Sequence, residues 1–97
     1  MSKYRALLNG ENFLIDFKGG PQRMGFFVTR IVDVTNSDEA EKASVALLRD
    51  DARLKGVVLN RRDDAPTLFA DEVEMILDYD PEKNIDTGFA WYPDGED

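Results

Sequence analysis

The sequence predicts an α+β fold of two layers, in which a mostly antiparallel sheet carries one main helix on one of its faces. Three observations support this prediction. Several segments alternate apolar and polar residues as strands do, one segment repeats its apolar residues with the period of a helix, and 97 residues suffice for one core. We therefore expect a single domain over residues 1–97 with the order β-β-β-α-β-β-β, in which residues 93–97 form an acidic, frayed tail.

The first two strands are predicted to form a hairpin that turns at Asn9-Gly10. Both residue types tolerate the positive φ of a type I′ turn, and apolar residues flank the pair on both sides. In this register Lys3 faces Asp16, and an opposite-charge pair across two strands is modestly favourable. The alternation assigns five side chains to the core face, namely Tyr4, Ala6, Phe13, Ile15 and Phe17. Leu7 and Leu14 then lie on the other face of the sheet.

A third, long strand is predicted over residues 24–35, after Gly19-Gly20-Pro21 has turned the chain. Its core face would carry Phe26, Val28, Arg30, Val32 and Val34. Its other face would carry Phe27, Thr29, Ile31, Asp33 and Thr35. The strand therefore places one cation, Arg30, against the core and two large apolar side chains on the far face.

The only predicted helix follows this strand. Asn36 or Ser37 can cap its start, and with Asn36 as the cap Glu39 occupies the third helical position of a capping box. The apolar stripe expected to pack on the sheet consists of Ala40, Ala43, Ser44, Leu47 and Leu48. Asp50-Asp51 would oppose the negative end of the helix dipole, so the helix is predicted to end near Arg49.

The C-terminal half is predicted to add three strands. Residues 57–59 form a short apolar run, and residues 87–92 form a final strand that Pro93 ends at a sheet edge. The segment between them, residues 67–79, has apolar residues at both strand and helix spacing. The alternation of glutamates with Val73 and Met75 favours a strand over a helix.

Composition excludes several classes of function. The chain has no histidine and no cysteine, which removes imidazole catalysis, thiolate nucleophiles, disulfides and the usual zinc sites. A net charge of −8 disfavours nucleic acid as a partner. The acidic pairs Asp50-Asp51 and Asp63-Asp64 have no spacing typical of Ca²⁺ loops, and no nucleotide-binding motif occurs, so we predict no metal and no cofactor. Without a long apolar segment we expect no membrane contact and a cytoplasmic location.

The apolar residues exceed the surface that one helix can cover. A helix of about 13 residues is about 20 Å long, whereas a sheet of five or six strands is about 25 Å wide, so the helix covers one face only. The residues expected to meet a partner are Leu7, Leu14, Phe27 and Ile31 on the far face, with Trp91 and Tyr92 on the final edge strand. A second copy of the chain is the simplest partner, which predicts a homodimer, and the net charge also permits a basic protein.

Four segments of this chain resemble segments of a set of small acidic bacterial proteins of unknown function. They are YRALLNGENFLIDF (4–17), GFFVTRIVDV (25–34) with the Ala-rich helix after it, TLFADEVE (67–74) and GFAWYP (88–93). The resemblance covers nearly the whole chain and implies a bacterial origin and a self-contained domain. It implies no catalytic or ligand-binding residue, because no activity is assigned in that set.

Three hypotheses on function follow. The first is a non-catalytic interaction module that self-associates through a sheet face or edge. The second is a domain that binds a small anionic ligand through the forked donors of Arg30 and nearby aromatic residues. Its structural alternative is an arginine whose stem packs in the core and whose head pairs with a local carboxylate. The third is an enzyme, which would need a pocket that gathers titratable groups.

Overall fold

The computed structural model describes residues 1–17, 19–51, 54 and 58–94, and within them the chain forms one antiparallel sheet and one α-helix. The strands are β1 (Ser2–Phe17), β2 (Gly20–Val34), β3 (Thr67–Met75) and β4 (Ala90–Pro93), and the helix is α1 (Ser37–Arg49). The strands lie in the order β3-β1-β2-β4, and α1 packs on one face of the sheet. The predicted two-layer α+β class is thus confirmed, with four strands in the described residues rather than six.

The predicted hairpin turn at Asn9-Gly10 is wrong. β1 continues through both residues and pairs with β2 in one long hairpin, which turns beside Gly19 (φ +94°). Gly10 is needed for packing, because a Cβ there would lie 2.3 Å from the ring of Phe26. A β-bulge follows between Gly10 and Phe13, and Asn12 adopts φ +62° within it. Asn9-Gly10, a pair typical of a turn, therefore lies within a strand, where Gly10 precedes a bulge and makes room for the Phe26 ring.

The bulge explains why the predicted core face is nevertheless correct. It shifts the alternation of β1, so that the buried apolar side chains are even-numbered before it and odd-numbered after it, namely Tyr4, Ala6, Leu8, Phe13 and Ile15. The side chain of Phe17 lies outside the described residues. The predicted pairing of Lys3 with Asp16 is wrong, because Lys3 faces Asp33 on β2, with Nζ 3.4 Å from Oδ2.

Helix α1 begins and ends where the sequence predicts. The Oδ1 atom of Asn36 accepts a hydrogen bond from the backbone N–H of Glu39 at 2.9 Å. The fully buried side chains lie on one line, Ala40, Ser44 and Leu48. Leu47 was expected in this stripe but is 50% exposed. The helix is turned so that Val45, on the opposite side of the buried line, packs against the core instead.

The C-terminal half departs from the prediction in detail. Residues 67–75 of the ambiguous segment form strand β3, whereas residues 76–79, which were predicted as the end of the strand, leave the sheet. A bulge opposite Leu7 and Leu8 makes Asp71 the extra residue of β3, which accounts for a charge within the apolar alternation. The expected strand at 57–59 reduces to one bridge between Val58 and Ile15, and residues 55–57 lie outside the described residues. The last strand starts at Ala90, three residues later than predicted.

A segment between β3 and β4 crosses the sheet. This crossing segment, residues 76–87, leaves β3 where the N–H of Ile76 bonds to the carbonyl of Lys3 at 2.8 Å. It reaches the far edge of β2, where Thr29 N–H donates to Thr87 Oγ1 at 2.9 Å. On the way the ring of Tyr79 lies 5.0 Å from Lys3 Nζ, on the face opposite α1. The chain thus covers part of its own second face, which the sequence prediction did not foresee.

Candidate interaction surface

The face of the sheet opposite α1, the open face, holds most of the residues predicted to meet a partner. Its side chains are Lys3, Arg5, Leu7, Asn9 and Leu14 from β1, Arg23, Phe27, Thr29, Ile31 and Asp33 from β2, Phe69, Glu72 and Glu74 from β3, and Tyr92 from β4. Alternation along each strand assigns them to one side. The open face is therefore mixed in character, with apolar residues between rows of charge.

The four aliphatic and aromatic residues predicted on this face do not form one patch. Ile31 lies at one end, beside Tyr79 and Ile85 of the crossing segment. Leu14 lies at the hairpin end beyond the bulge, where its carbonyl accepts from the N–H of Leu59 at 2.7 Å. Leu7 and Phe27 are diagonal neighbours at the centre. Only these two belong to the uncovered middle of the sheet.

The centre of the open face is an aromatic patch, defined here as Leu7, Phe27, Phe69 and Tyr92. Phe27 is 39% exposed, and its ring centroid lies 5.5 Å from that of Tyr92. The ring of Tyr92 covers Gly25, where a Cβ would lie 2.3 Å from the ring atom Cζ. The absence of a side chain at Gly25 is what lets β4 lay its tyrosine flat on the sheet.

A buried asparagine lies beneath this patch. Asn9 is 4% exposed, and its Nδ2 atom donates to Tyr92 Oη at 3.2 Å. Tyr92 Oη in turn donates to the carbonyl of Gly10 at 3.4 Å. The Oδ1 atom of Asn9 has no partner among the described residues. Tyr92 is therefore held to β1 by a short polar chain as well as by its ring contact.

A cleft of about 340 Å³ adjoins the patch. Its floor is Arg5, Leu7 and Thr29; β3 supplies Glu72 and Glu74, and the crossing segment supplies Lys83, Asn84, Ile85 and Thr87. Arg5 forms an ion pair with Glu74. In the part of the chain that the structure describes, neither Glu72 nor Lys83 has an ion-pair or side-chain hydrogen-bond partner. The cleft thus presents two unpaired charges of opposite sign.

Arg30 lies on the other face, against the core. It is 6% exposed, and its Nη1 atom donates to the carbonyls of Thr29 and Thr87, both at 2.8 Å. Its Nη2 atom lies 3.5 Å from Asp51 Oδ2, and its Nε atom lies 4.0 Å from Asp86 Oδ2. These contacts tie the end of the crossing segment to β2, so the guanidinium is occupied within the fold.

The aromatic pair of β4 is split between the two faces. Trp91 stacks on Phe89 with ring centroids 5.6 Å apart and meets the edge of Phe26 at 5.1 Å, on the side of α1. Tyr92 lies on the open face with Phe27. Trp91 remains 37% exposed, at the border of the core. The two residues therefore cannot contact one partner surface together.

A polar network at the β1 bulge was missed by the sequence prediction. Asn12 donates from Nδ2 to Asp64 Oδ1 at 3.0 Å and from its backbone N–H to Asp94 Oδ2 at 2.7 Å. Arg23 bonds to both Asn12 and Asp64, and Asn60 donates to the carbonyl of Asn12 at 2.8 Å. The hydrogen bond from Asn12, and then that from Arg23, lower the pKa of Asp64 below 3.8. No local pattern signals this network, because its members come from distant segments.

The described residues contain no group of three or more carboxylates placed to hold a metal ion. No helix in the described ranges combines the length and the apolar character needed to cross a membrane. Comparison with models of known families, with curated proteins and with solved structures finds no match for this chain. Function is therefore inferred from the geometry of the open face.

Proposed function

We propose that this protein is a non-catalytic interaction module that self-associates through the open face of its sheet. The aromatic patch is the observation that carries this proposal. α1 covers one face of the sheet, whereas Phe27 remains 39% exposed at the centre of the other, beside the half-buried Leu7, Phe69 and Tyr92. An apolar centre within a charged rim is typical of protein interfaces.

The size of the open face fits a second copy. Four strands at about 4.8 Å each make a sheet about 19 Å wide. The molecule is 43 Å long in its longest direction. The product of these two lengths is roughly 800 Å², the area that each partner buries in a standard interface. The free area is smaller, because the crossing segment covers the end of the face that carries Ile31, so the open face fits an interface at the small end of the range. Two such faces would pack as the layers of a β-sandwich do.

The charges of the open face also favour a second copy over a basic protein. Although the chain carries −8 overall, three cations of this face are neutralised by ion pairs: Lys3 with Asp33, Arg5 with Glu74, and Arg23 with Asp64. The unpaired charges of the cleft have opposite signs. A two-fold axis can therefore bring the Glu72 of one copy near the Lys83 of the other without like-charge repulsion.

Light scattering tests the proposal. The native chain is expected to have the mass of a dimer at high micromolar concentration, and Phe27→Asp is expected to have the mass of a monomer. Leu47→Asp is the matched control, because Leu47 is 50% exposed on α1, away from the open face. Circular dichroism checks that both variants fold. A monomeric native chain, or dissociation by Leu47→Asp and not by Phe27→Asp, would overturn the proposal.

The two other hypotheses have less support. An anionic ligand at Arg30 would have to displace contacts that the guanidinium already makes with Thr29, Thr87 and Asp51. An enzyme needs titratable groups gathered in a pocket, and the cleft does gather them. Arg5 and Glu74 are paired with each other, however, so neither is free to act on a substrate.

A further inference from the structure

We infer that the cleft on the open face binds a small zwitterion, namely a free α-amino acid with an aliphatic side chain. The inference does not require self-association, although the cleft shares Leu7 with the aromatic patch, and its Glu72 and Lys83 are charges that a dimer could also pair. At about 340 Å³ the cleft falls within the size range of small-molecule sites. What singles it out is the arrangement of charge around an aliphatic floor.

The two sides of the cleft carry opposite unpaired charges. Glu72 stands on β3, and Lys83 stands on the crossing segment. In the described residues neither side chain has a charged partner, whereas Arg5 and Glu74 between them already form an ion pair. The cleft thus has one carboxylate to receive an ammonium group and one ammonium to receive a carboxylate. A ligand with a single charge would leave one of the two without a partner.

The remaining lining is suited to an aliphatic side chain. Leu7 lies on the floor and Ile85 lies on the wall, and Ile85 is 56% exposed in the free protein. Covering both with a branched hydrocarbon removes apolar surface from water. The hydroxyl oxygen of Thr87 already accepts the N–H of Thr29, so this residue has its O–H left to donate to the ligand. Selectivity would therefore come mainly from charge and hydrocarbon.

The wall that carries Lys83 is held in place at both ends. At its start, the carbonyl of Asp80 accepts the N–H groups of Lys83 at 3.0 Å and Asn84 at 2.7 Å, and Asn84 Oδ1 accepts the N–H of Asp80 at 2.8 Å. At its end, Thr87 forms two hydrogen bonds with Thr29. A cleft held open in this way needs little ordering when a ligand binds.

Calorimetric titration of the full chain with three molecules that share a 3-methylbutyl chain tests the inference. L-leucine carries both charges, 4-methylpentanoate lacks the ammonium group, and 3-methylbutylamine lacks the carboxylate. We expect leucine to bind, and both single-charge analogues to bind at least about tenfold more weakly, since each loses one charge-assisted contact. Equal binding of either analogue, or no binding of leucine at millimolar concentration, would overturn the inference.

Two substitutions locate the site. Glu72→Gln and Lys83→Met are each expected to weaken leucine binding at least about tenfold. Glu82→Gln and Lys42→Met, which remove the same charges from exposed positions outside the cleft, are expected to bind leucine as the native chain does. Leucine binding that survives either cleft substitution would overturn the inference. Titration of the Phe27→Asp variant separates the site from self-association: leucine binding by this monomer supports the site whatever the mass of the native chain, and a monomer that does not bind leucine overturns the inference and leaves the interface untouched.

Discussion

Replacing Gly25 with alanine should destabilise the protein, because the new methyl group would occupy the space of the Tyr92 ring. The added Cβ would lie 2.3 Å from Cζ of that ring and 2.5 Å from both Cε1 and Oη. All three distances are shorter than any real carbon contact. The ring cannot simply turn aside, since it lies beside Phe27 and bonds to Asn9 and Gly10.

The size of the destabilisation can be estimated from the contacts that the Tyr92 ring would lose. Forcing a methyl group into a filled site costs about 1–3 kcal/mol. If the ring leaves, its two hydrogen bonds are lost at about 1 kcal/mol each, and the buried amide of Asn9 loses its Nδ2 partner as well. We therefore expect a loss of about 2–4 kcal/mol. For a domain of this size that corresponds to a Tm roughly 10–25 °C lower.

Urea unfolding of four variants measures this effect. Gly20→Ala is the control, because Gly20 lies on the same strand with nothing within 4 Å of its added Cβ, and it should change stability by less than about 0.5 kcal/mol. Tyr92→Ala should remove the clash, so that Gly25→Ala in that background has a small additional effect. If Gly25→Ala in the native background lowers the free energy of unfolding by less than about 0.5 kcal/mol, the Tyr92 ring does not fill the space above Gly25 and the reasoning is refuted.

Two further predictions concern the helix cap and the polar network. Asn36→Ala removes the acceptor of the Glu39 N–H and should lower the free energy of unfolding by about 1 kcal/mol; an unchanged urea midpoint would contradict the cap. Because hydrogen bonds from Asn12 and Arg23 lower the pKa of Asp64, the stability that this carboxylate adds is complete above pH 3.8 and is lost as the pH falls through the lowered pKa. Asp64→Asn should therefore reduce stability at neutral pH and make the acid side of the pH–stability curve shallower, and superimposable curves would disprove this linkage.

Some elements could be predicted from the sequence because their signals are local. The start of α1 depends on Asn36 and Glu39, which are three positions apart, and its end depends on the adjacent Asp50-Asp51. The alternation of β3 is similarly contained within nine residues. Arg30 was recognised as a charge on an apolar strand face by counting along one strand. These features need no knowledge of what packs against them.

Other features could not be predicted from the sequence, because one sequence pattern is compatible with several structures. Asn9-Gly10 fits a type I′ turn, yet here Gly10 makes room for the Phe26 ring and Asn9 lies buried under Tyr92. Only the partner side chains decide between the two, and they come from other strands. The sequence predicts the crossing segment as the end of one strand, a connection and the start of the next strand, so its cover over Ile31 could not be anticipated. The cleft depends on that cover and was missed for the same reason.

The pairing of β1 has a consequence for the order of folding. Phe17 at the end of β1 pairs with Gly20 of β2, three residues further along the chain, whereas the pairing of β1 with β3 joins residues as distant in sequence as Tyr4 and Met75. Loop closure of that length is slow relative to the zipping of a hairpin. Backbone amides between β1 and β2 should accordingly gain protection from hydrogen exchange first during refolding, and those of β3 later. Mutations at the β1–β2 turn should slow refolding, whereas mutations on β3 should mainly accelerate unfolding.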